Sequence, residues 1–305
     1  MKIQRPETSV PFHDVEFVLM DIDGTLVFGS DHDLQNVAHQ LSRLRRYKVS
    51  FSVATGRTIF GARQVLGEID PDHRVEWIIS YNGAVIARPD ARPWIEDRLL
   101  IEPSLLDRLF SICVNQGLGP LVYTCGSHFD TRWPEEVFGT IHSLPGRDVE
   151  FNGMPIRRVS KLDAIPVADV VAVLISAKAA SESILDFAQK LRQEVGDQLR
   201  ITTSGGEFVE IANVLATKRF AMENLCLSQR IDVANVMAIG DNFNDLEMLI
   251  SAGFGVAVEN SPDAVKSGSR IVTKQKGAAG VTEVLQLVAE AYRYQERHRR
   301  LRGES

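Results

Sequence analysis

Val15-Glu16-Phe17-Val18-Leu19-Met20, followed at once by Asp21-Ile22-Asp23-Gly24-Thr25-Leu26, is the stretch on which the reading of this chain turns. The first six residues are apolar apart from Glu16, as in a short buried strand. The next six put two carboxylates at i and i+2 where that strand would end. In parallel α/β sheets, ligands bind outside the carboxyl ends of the strands. Side chains at i and i+2 can project to one side of an extended chain. Gly24 lets the backbone turn and approach a ligand closely. Such a pair can act as a nucleophile beside a proton donor, or as a divalent metal site. The same residues also make an ordinary solvated turn, because Asp and Gly are common turn formers.

Downstream, apolar spacing (Leu34, Val37, Leu41, Leu44) predicts a helix over 33–47, then a strand over 49–54, a helix over 58–66 and a strand over 76–80. Strands alternating with helices imply parallel pairing through crossover helices. The rhythm then changes. Residues 84–88 and 94–100 read as a hairpin around Pro89-Asp90, and 103–115 as a helix opened by Pro103. Strands are expected at 121–124 and 127–131, loops across the proline-bearing 133–166, a strand at 169–176 and a helix at 180–195. A second hairpin, 199–203 with 207–211, surrounds Ser204-Gly205-Gly206. After residue 212 the first rhythm returns: helix 217–226, strand 235–239, helix 245–252, strands 254–258 and 270–273 about a short helix, and a last helix over 281–294. The basic tail 297–302 is expected to fray as a solvated end. The simplest fold is α/β: a Rossmann-like parallel-sheet core domain (1–85 and 212–305) with an inserted α+β cap domain (86–211).

Composition narrows the function. At roughly 150 residues per domain, 305 residues suggest about two domains. Hydrophobic residues at 44% and charged residues at 24% exclude disordered, collagenous and coiled-coil chains. The formal charge of −6 argues against nucleic acid as a partner. Cys113, Cys125 and Cys226 are odd in number and form no CxxC pair, which points to a reducing compartment and away from disulfides or cysteine-bound zinc. MKIQRPETSVPFHD lacks a signal-peptide core, and no apolar run approaches ~18 residues. A cytoplasmic protein without a membrane partner, monomeric or a weak homodimer, is the expectation.

Three more features carry chemistry. Ala54-Thr55-Gly56-Arg57 ends a predicted strand, where a hydroxyl and helix-start N–H groups suit an anion; an ordinary strand-to-helix turn reads the same way. Gly240-Asp241-Asn242-Phe243-Asn244-Asp245 is oxygen-rich, which suits Mg²⁺ rather than zinc. It also suits helix capping by Asn244 or Asp245. Lys218 stands near a helix start, where a lone lysine is ordinarily solvated.

Taken together, these motifs resemble the haloacid dehalogenase-like phosphohydrolase superfamily. Asp21–Leu26 looks like its first motif, Thr55 its second, Lys218 its third and Gly240–Asp245 its fourth, and Tyr81-Asn82-Gly83-Ala84 adds a further match. An insertion between the second and third motifs resembles the class IIB cap of the Cof-type and sugar-phosphate phosphatase branch. Arg219 stands where the family commonly has glycine, and Thr217 takes the place of the hydroxyl before the lysine. The resemblance implies a Mg²⁺-dependent phosphatase acting on a small phosphorylated metabolite, a sugar phosphate first among candidates. Asp21, Asp23, Thr55 and Lys218 would be catalytic, with Asp21 forming an aspartyl-phosphate and Asp23 moving the proton. Mg²⁺ would be held by Asp21, the backbone carbonyl of Asp23, and Asp241. Ile22, Gly24, Thr25, Gly56, Arg57, Asn82, Gly83 and Asn244 would contact phosphate or substrate, and Asp245 would support Lys218 or a bound water. The Gly205-Gly206-Glu207 turn is a candidate for the cap rim. A phosphomutase using the same aspartyl-phosphate, and a non-turnover phospho-receiver, are the alternatives.

Overall fold

Strand β1 (Phe17–Met20) is buried at all four positions and is the strand from which the first part of the fold is built. A computed structural model of the chain describes residues 12–29, 31–70, 75–89, 95–126, 134–176, 183–204 and 208–302. Two compact units are present: Met1–Val53 with Val65–Val75 and Glu223–Ser305, and Ala54–Gln64 with Glu76–Met222.

In the first unit β1 pairs in parallel with β2 (Ser50–Ala54) on one side and β12 (Val236–Gly240) on the other. Parallel pairing continues through β13 (Phe254–Ala257) to β14 (Ile271–Val272). Parallel strands covered on both faces read as unbroken apolar runs, as FVLM and VMAI do. Helix α1 (Asp31–Arg45) buries Leu34, Val37, Leu41 and Leu44, the face its spacing predicts. Helices α6 (Phe243–Ser251) and α7 (Asp263–Gly268) fall between the later strands. Helix α8 (Gly277–Leu301) is longer than its apolar pattern, so the basic tail does not fray at Arg297 as expected. Arg300 pairs with Glu296 one turn back, and basic residues in the last turn complement the helix dipole.

The second unit contains an antiparallel ribbon of β3 (Ile78–Ser80), β4 (Val85–Ala87) and β5 (Ile95–Arg98). It also contains a six-stranded sheet. Its strands are β6 (Leu121–Cys125), β7 (Glu135–Gly139), β8 (Ile156–Arg158), β9 (Val170–Ser176), β10 (Leu199–Ser204) and β11 (Phe208–Asn213). They run in the order β10-β11-β9-β6-β7-β8. Among the described residues, only the β7–β8 pair of this sheet is parallel. Helix α3 (Pro103–Asn115), with Pro103 in its first turn, and α4 (Ile184–Val195), capped by Ser183, bury Leu106, Phe110, Phe187 and Leu191 with Val122, Val173 and Ile211 of the sheet. The stretch read as loops, 133–166, therefore contains two strands. Pro134 and Pro155 sit just before them, where a missing N–H costs no ladder bond, so proline did not mark a loop here. The strand expected at 127–131 and the Gly205–Glu207 turn lie outside the described residues. Helix α2 (Ile59–Ile69) runs from the second unit into the first, and α5 (Lys218–Gln229) does likewise. No described helix is long and apolar enough to cross a membrane.

Candidate active site

In the first unit, the ladder between β1 and β12 extends one step past Met20, with the Asp21 amide donating to Ile239 O (2.9 Å). The chain then turns back, and the Leu26 and Val27 amides both donate to Ile22 O (2.8 Å). Gly24 has φ +89°, and a Cβ there would lie 2.2 Å from Asp241 Oδ2. The conformation therefore calls for glycine, and a methyl group here would push the Asp241 carboxylate aside. Thr25 is fully buried and donates its hydroxyl to Asp241 Oδ1 (2.9 Å). Asn260 Nδ2 donates to Gly24 O (2.9 Å), and its Oδ1 accepts from the Gly277 amide (2.8 Å), holding the turn from the far side.

On the neighbouring strand β12 leads into Asp241 and α6. The N-cap is Asn242, and Asp245 completes a capping box from the first turn, so neither Asn244 nor Asp245 is the cap residue expected. Asp245 is fully buried, and its Oδ2 accepts from the Asp241 and Asn242 amides (both 3.0 Å). Asn244 lies exposed on the same turn. One carboxylate oxygen each of Asp21, Asp241 and Asp245 lies within 4.8 Å of the others. At an effective dielectric of about 20, two like charges ~4 Å apart repel by roughly 4 kcal/mol. A hard, oxygen-seeking divalent cation suits such a donor set. Ile22 is buried, whereas Asp23 is exposed and outside the trio.

In the second unit, Thr55 is fully buried at the end of β2. Its amide donates to Ile79 O (2.9 Å), and its carbonyl accepts from the Asn82 amide (2.9 Å). Its hydroxyl accepts from the Arg57 amide (3.1 Å), which leaves the hydroxyl proton to be donated elsewhere. Arg57, half-buried, accepts at its carbonyl from the Tyr81 amide (3.1 Å). Tyr81, Asn82 and Gly83 all have positive φ (52°, 54° and 103°). A Cβ on Gly83 would lie 2.1 Å from Thr217 O, so this turn packs on the backbone just before Lys218. Thr217 caps α5 by accepting from the Phe220 amide (3.0 Å), which gives the hydroxyl at this position a physical role. Lys218 is only 1% exposed, the opposite of a solvated helical lysine. Asn82 Nδ2 lies against Gly56 and donates to Glu210 Oε2 (3.0 Å).

The helix start after Thr55 also differs from expectation. Three of its N–H groups are taken by the protein's own side chains. The Ile59 amide donates to Glu135 Oε1 (2.7 Å), the Phe60 amide to Glu135 Oε2 (3.0 Å) and the Gly61 amide to Thr58 Oγ1 (3.0 Å). The Tyr81 hydroxyl donates to Glu135 Oε1 as well (2.6 Å). Burial first, and then the Glu135 carboxylate, push the Tyr81 phenol well above its ordinary pKa. Tyr123 is raised likewise, by burial and then by Glu150, Glu210 and Glu135. Glu135, Glu210 and Asn260 were not singled out from the sequence. They lie far along the chain from the groups they hold, and no local pattern links them.

A model of the haloacid dehalogenase-like hydrolase family matches residues 18–285. Phosphatase YwpJ of Bacillus subtilis (strain 168) is 24% identical over 294 residues, covering 89% of this chain and 99% of its own. Among solved structures, a haloacid dehalogenase-like hydrolase from Bacteroides thetaiotaomicron superposes with a TM-score of 0.72 at 20% identity, covering 89% of this chain and 98% of that one. A subclass IIB sugar phosphatase does so with a TM-score of 0.68 at 18% identity, covering 92% and 99%.

Proposed function

This chain belongs to the haloacid dehalogenase-like hydrolase family, and from that premise we propose that it is a Mg²⁺-dependent phosphatase that hydrolyses a small phosphorylated metabolite through an aspartyl-phosphate at Asp21. A sugar phosphate is the leading substrate class, in keeping with the subclass IIB sugar phosphatase whose fold it shares. The observation that carries the reading is the convergence of Asp21, Asp241 and Asp245 at adjacent strand ends. In this reading residues 1–85 and 212–305 form the catalytic core and 86–211 the cap that selects the leaving group. A reducing cytoplasm suits the three free, buried cysteines.

An Asp21 carboxylate oxygen bonds to phosphorus as the bond to the leaving-group oxygen breaks, and Asp23 gives that oxygen its proton. Asp23 then takes a proton from the water that attacks the aspartyl-phosphate, which releases phosphate and restores Asp21. Asp23 is exposed, so it can exchange protons with water and a leaving group. Asp21, the Asp23 carbonyl and Asp241 would hold Mg²⁺, with Thr25 and Asp245 fixing Asp241 from its side chain and its backbone. Bound there, Mg²⁺ supplies positive charge that lets a phosphate dianion meet a carboxylate. Thr55 and the Ile22 and Asp23 amides would hold phosphoryl oxygens, and Lys218 adds a second positive charge. Gly24 and Gly56 would give the phosphate close access to backbone, and Arg57, Asn82, Gly83 and Asn244 would contact phosphate or substrate.

A panel of phosphorylated metabolites, assayed for phosphate release with Mg²⁺ and with a chelator, tests the proposal. The wild-type chain should release phosphate from at least one sugar phosphate, and Asp21→Asn or chelation should reduce release to background. Activity retained in Asp21→Asn contradicts the nucleophile. An isomerised sugar phosphate without released phosphate points instead to a phosphomutase.

A further inference from the structure

We propose that Glu135 is a positioning residue for phosphate binding: carried on β7, its carboxylate fixes the loop that presents Thr55. What the loop binds rests on the phosphatase reading; the anchoring rests on geometry alone. Glu135 is 3% exposed, and both its oxygens are engaged, by the Ile59 and Phe60 amides of α2 and by the Tyr81 hydroxyl. Those partners frame Thr55 from two sides. Helix α2 starts directly after the Thr55–Thr58 loop. Tyr81 donates its amide to Arg57 O and precedes Asn82, whose amide donates to Thr55 O. Releasing the carboxylate therefore loosens both supports of Thr55 together.

The chemistry favours an ionised carboxylate. Hydrogen bonds from helix N-terminal amides to an anion are charge-assisted and complement the helix dipole. Glutamine at this position would turn an NH₂ group toward a donor, losing one bond and burying an unmatched N–H. Two consequences follow. The anion at the start of α2 is the protein's own, so the substrate phosphate is left to the Thr55 hydroxyl rather than to this helix. And because β7 lies in the stretch assigned to the cap, phosphate affinity depends on a cap strand staying seated on α2.

The test uses the full chain with Glu135→Gln, Glu135→Asp and Tyr81→Phe, and two readouts. Amide hydrogen exchange should rise across residues 54–62 and 79–84 in Glu135→Gln, and less so in Tyr81→Phe. With Mg²⁺ and p-nitrophenyl phosphate, KM should rise about tenfold in Glu135→Gln while kcat changes less than about threefold, with Glu135→Asp intermediate. Unchanged exchange at 54–62 in folded Glu135→Gln overturns the anchoring. Raised exchange with unchanged KM overturns the link to phosphate binding. If Glu135→Gln does not fold, Tyr81→Phe decides, and wild-type exchange and KM in that variant overturn the proposal. A wild-type chain without phosphatase activity counts against the phosphatase reading, and exchange then decides the anchoring on its own.

Discussion

Lys218 and Thr25 show how burial changes the meaning of a residue. A lysine at a helix start is unremarkable by sequence. One that is 1% exposed has given up bulk water around its ammonium, which is costly unless anions replace it. Lys218→Ala should lower kcat/KM for phosphate release roughly 10²–10³-fold, the usual cost of removing one charge-stabilising group. Full activity in that variant would move the role to another lysine. Thr25 was expected to touch phosphate, yet its hydroxyl is given to Asp241 Oδ1. Thr25→Val should therefore raise the Mg²⁺ concentration for half-maximal activity about tenfold or more, as losses behind a metal ligand commonly do. A metal titration of both proteins checks this.

At the scale of elements, short turns decide where the chemical groups stand. The Tyr81–Gly83 turn carries three successive positive φ angles and packs Gly83 against the backbone at Thr217. Gly83→Ala would place a methyl 2.1 Å from Thr217 O in a backbone conformation that alanine disfavours. It should cost on the order of 1–3 kcal/mol of stability and lower activity by shifting the start of α5. Denaturant midpoints and phosphate release, measured together, test both halves. Some elements were readable beforehand: the helix over 103–115 is found at those bounds, because Pro103 and one apolar face mark it locally. Strands β7 and β8 were not, because their preceding prolines looked like loop signals. The end of α8 was not either, because no apolar pattern marks its last turns, which carry charged residues such as the Glu296–Arg300 pair.

The whole molecule should respond to alkali through its buried acids. Burial pushes Cys113 up to about 12 and Cys226 to about 11, from an ordinary 9.0. Tyr81 and Tyr123 are raised well above 10.0. The unfolded chain loses these protons first, while the folded chain keeps them. Their contribution is full below about pH 9 and is lost as pH rises through the folded values. The thermal midpoint should fall steadily between pH 9 and pH 12, and Cys113→Ala should show a shallower fall. A midpoint that does not change over that range contradicts the burial of these groups. Thiol reagents at neutral pH should label none of the three cysteines until the protein is unfolded.

The sequence by itself determined the parallel half of the fold and the places where chemistry could gather. Apolar runs such as FVLM and VMAI, and the Asp, Gly and Asn residues at their ends, are local signals of strands and of strand-end loops. Only the tertiary structure decided which groups meet. It joined Asp245 to Asp21 and Asp241 and left Asp23 exposed outside that trio. It buried Lys218, and it seated Glu135 on an amide 76 positions away. Periodicity reports only which way a side chain faces along its own element. Which partner it meets depends on how separate elements pack, and no local pattern encodes that.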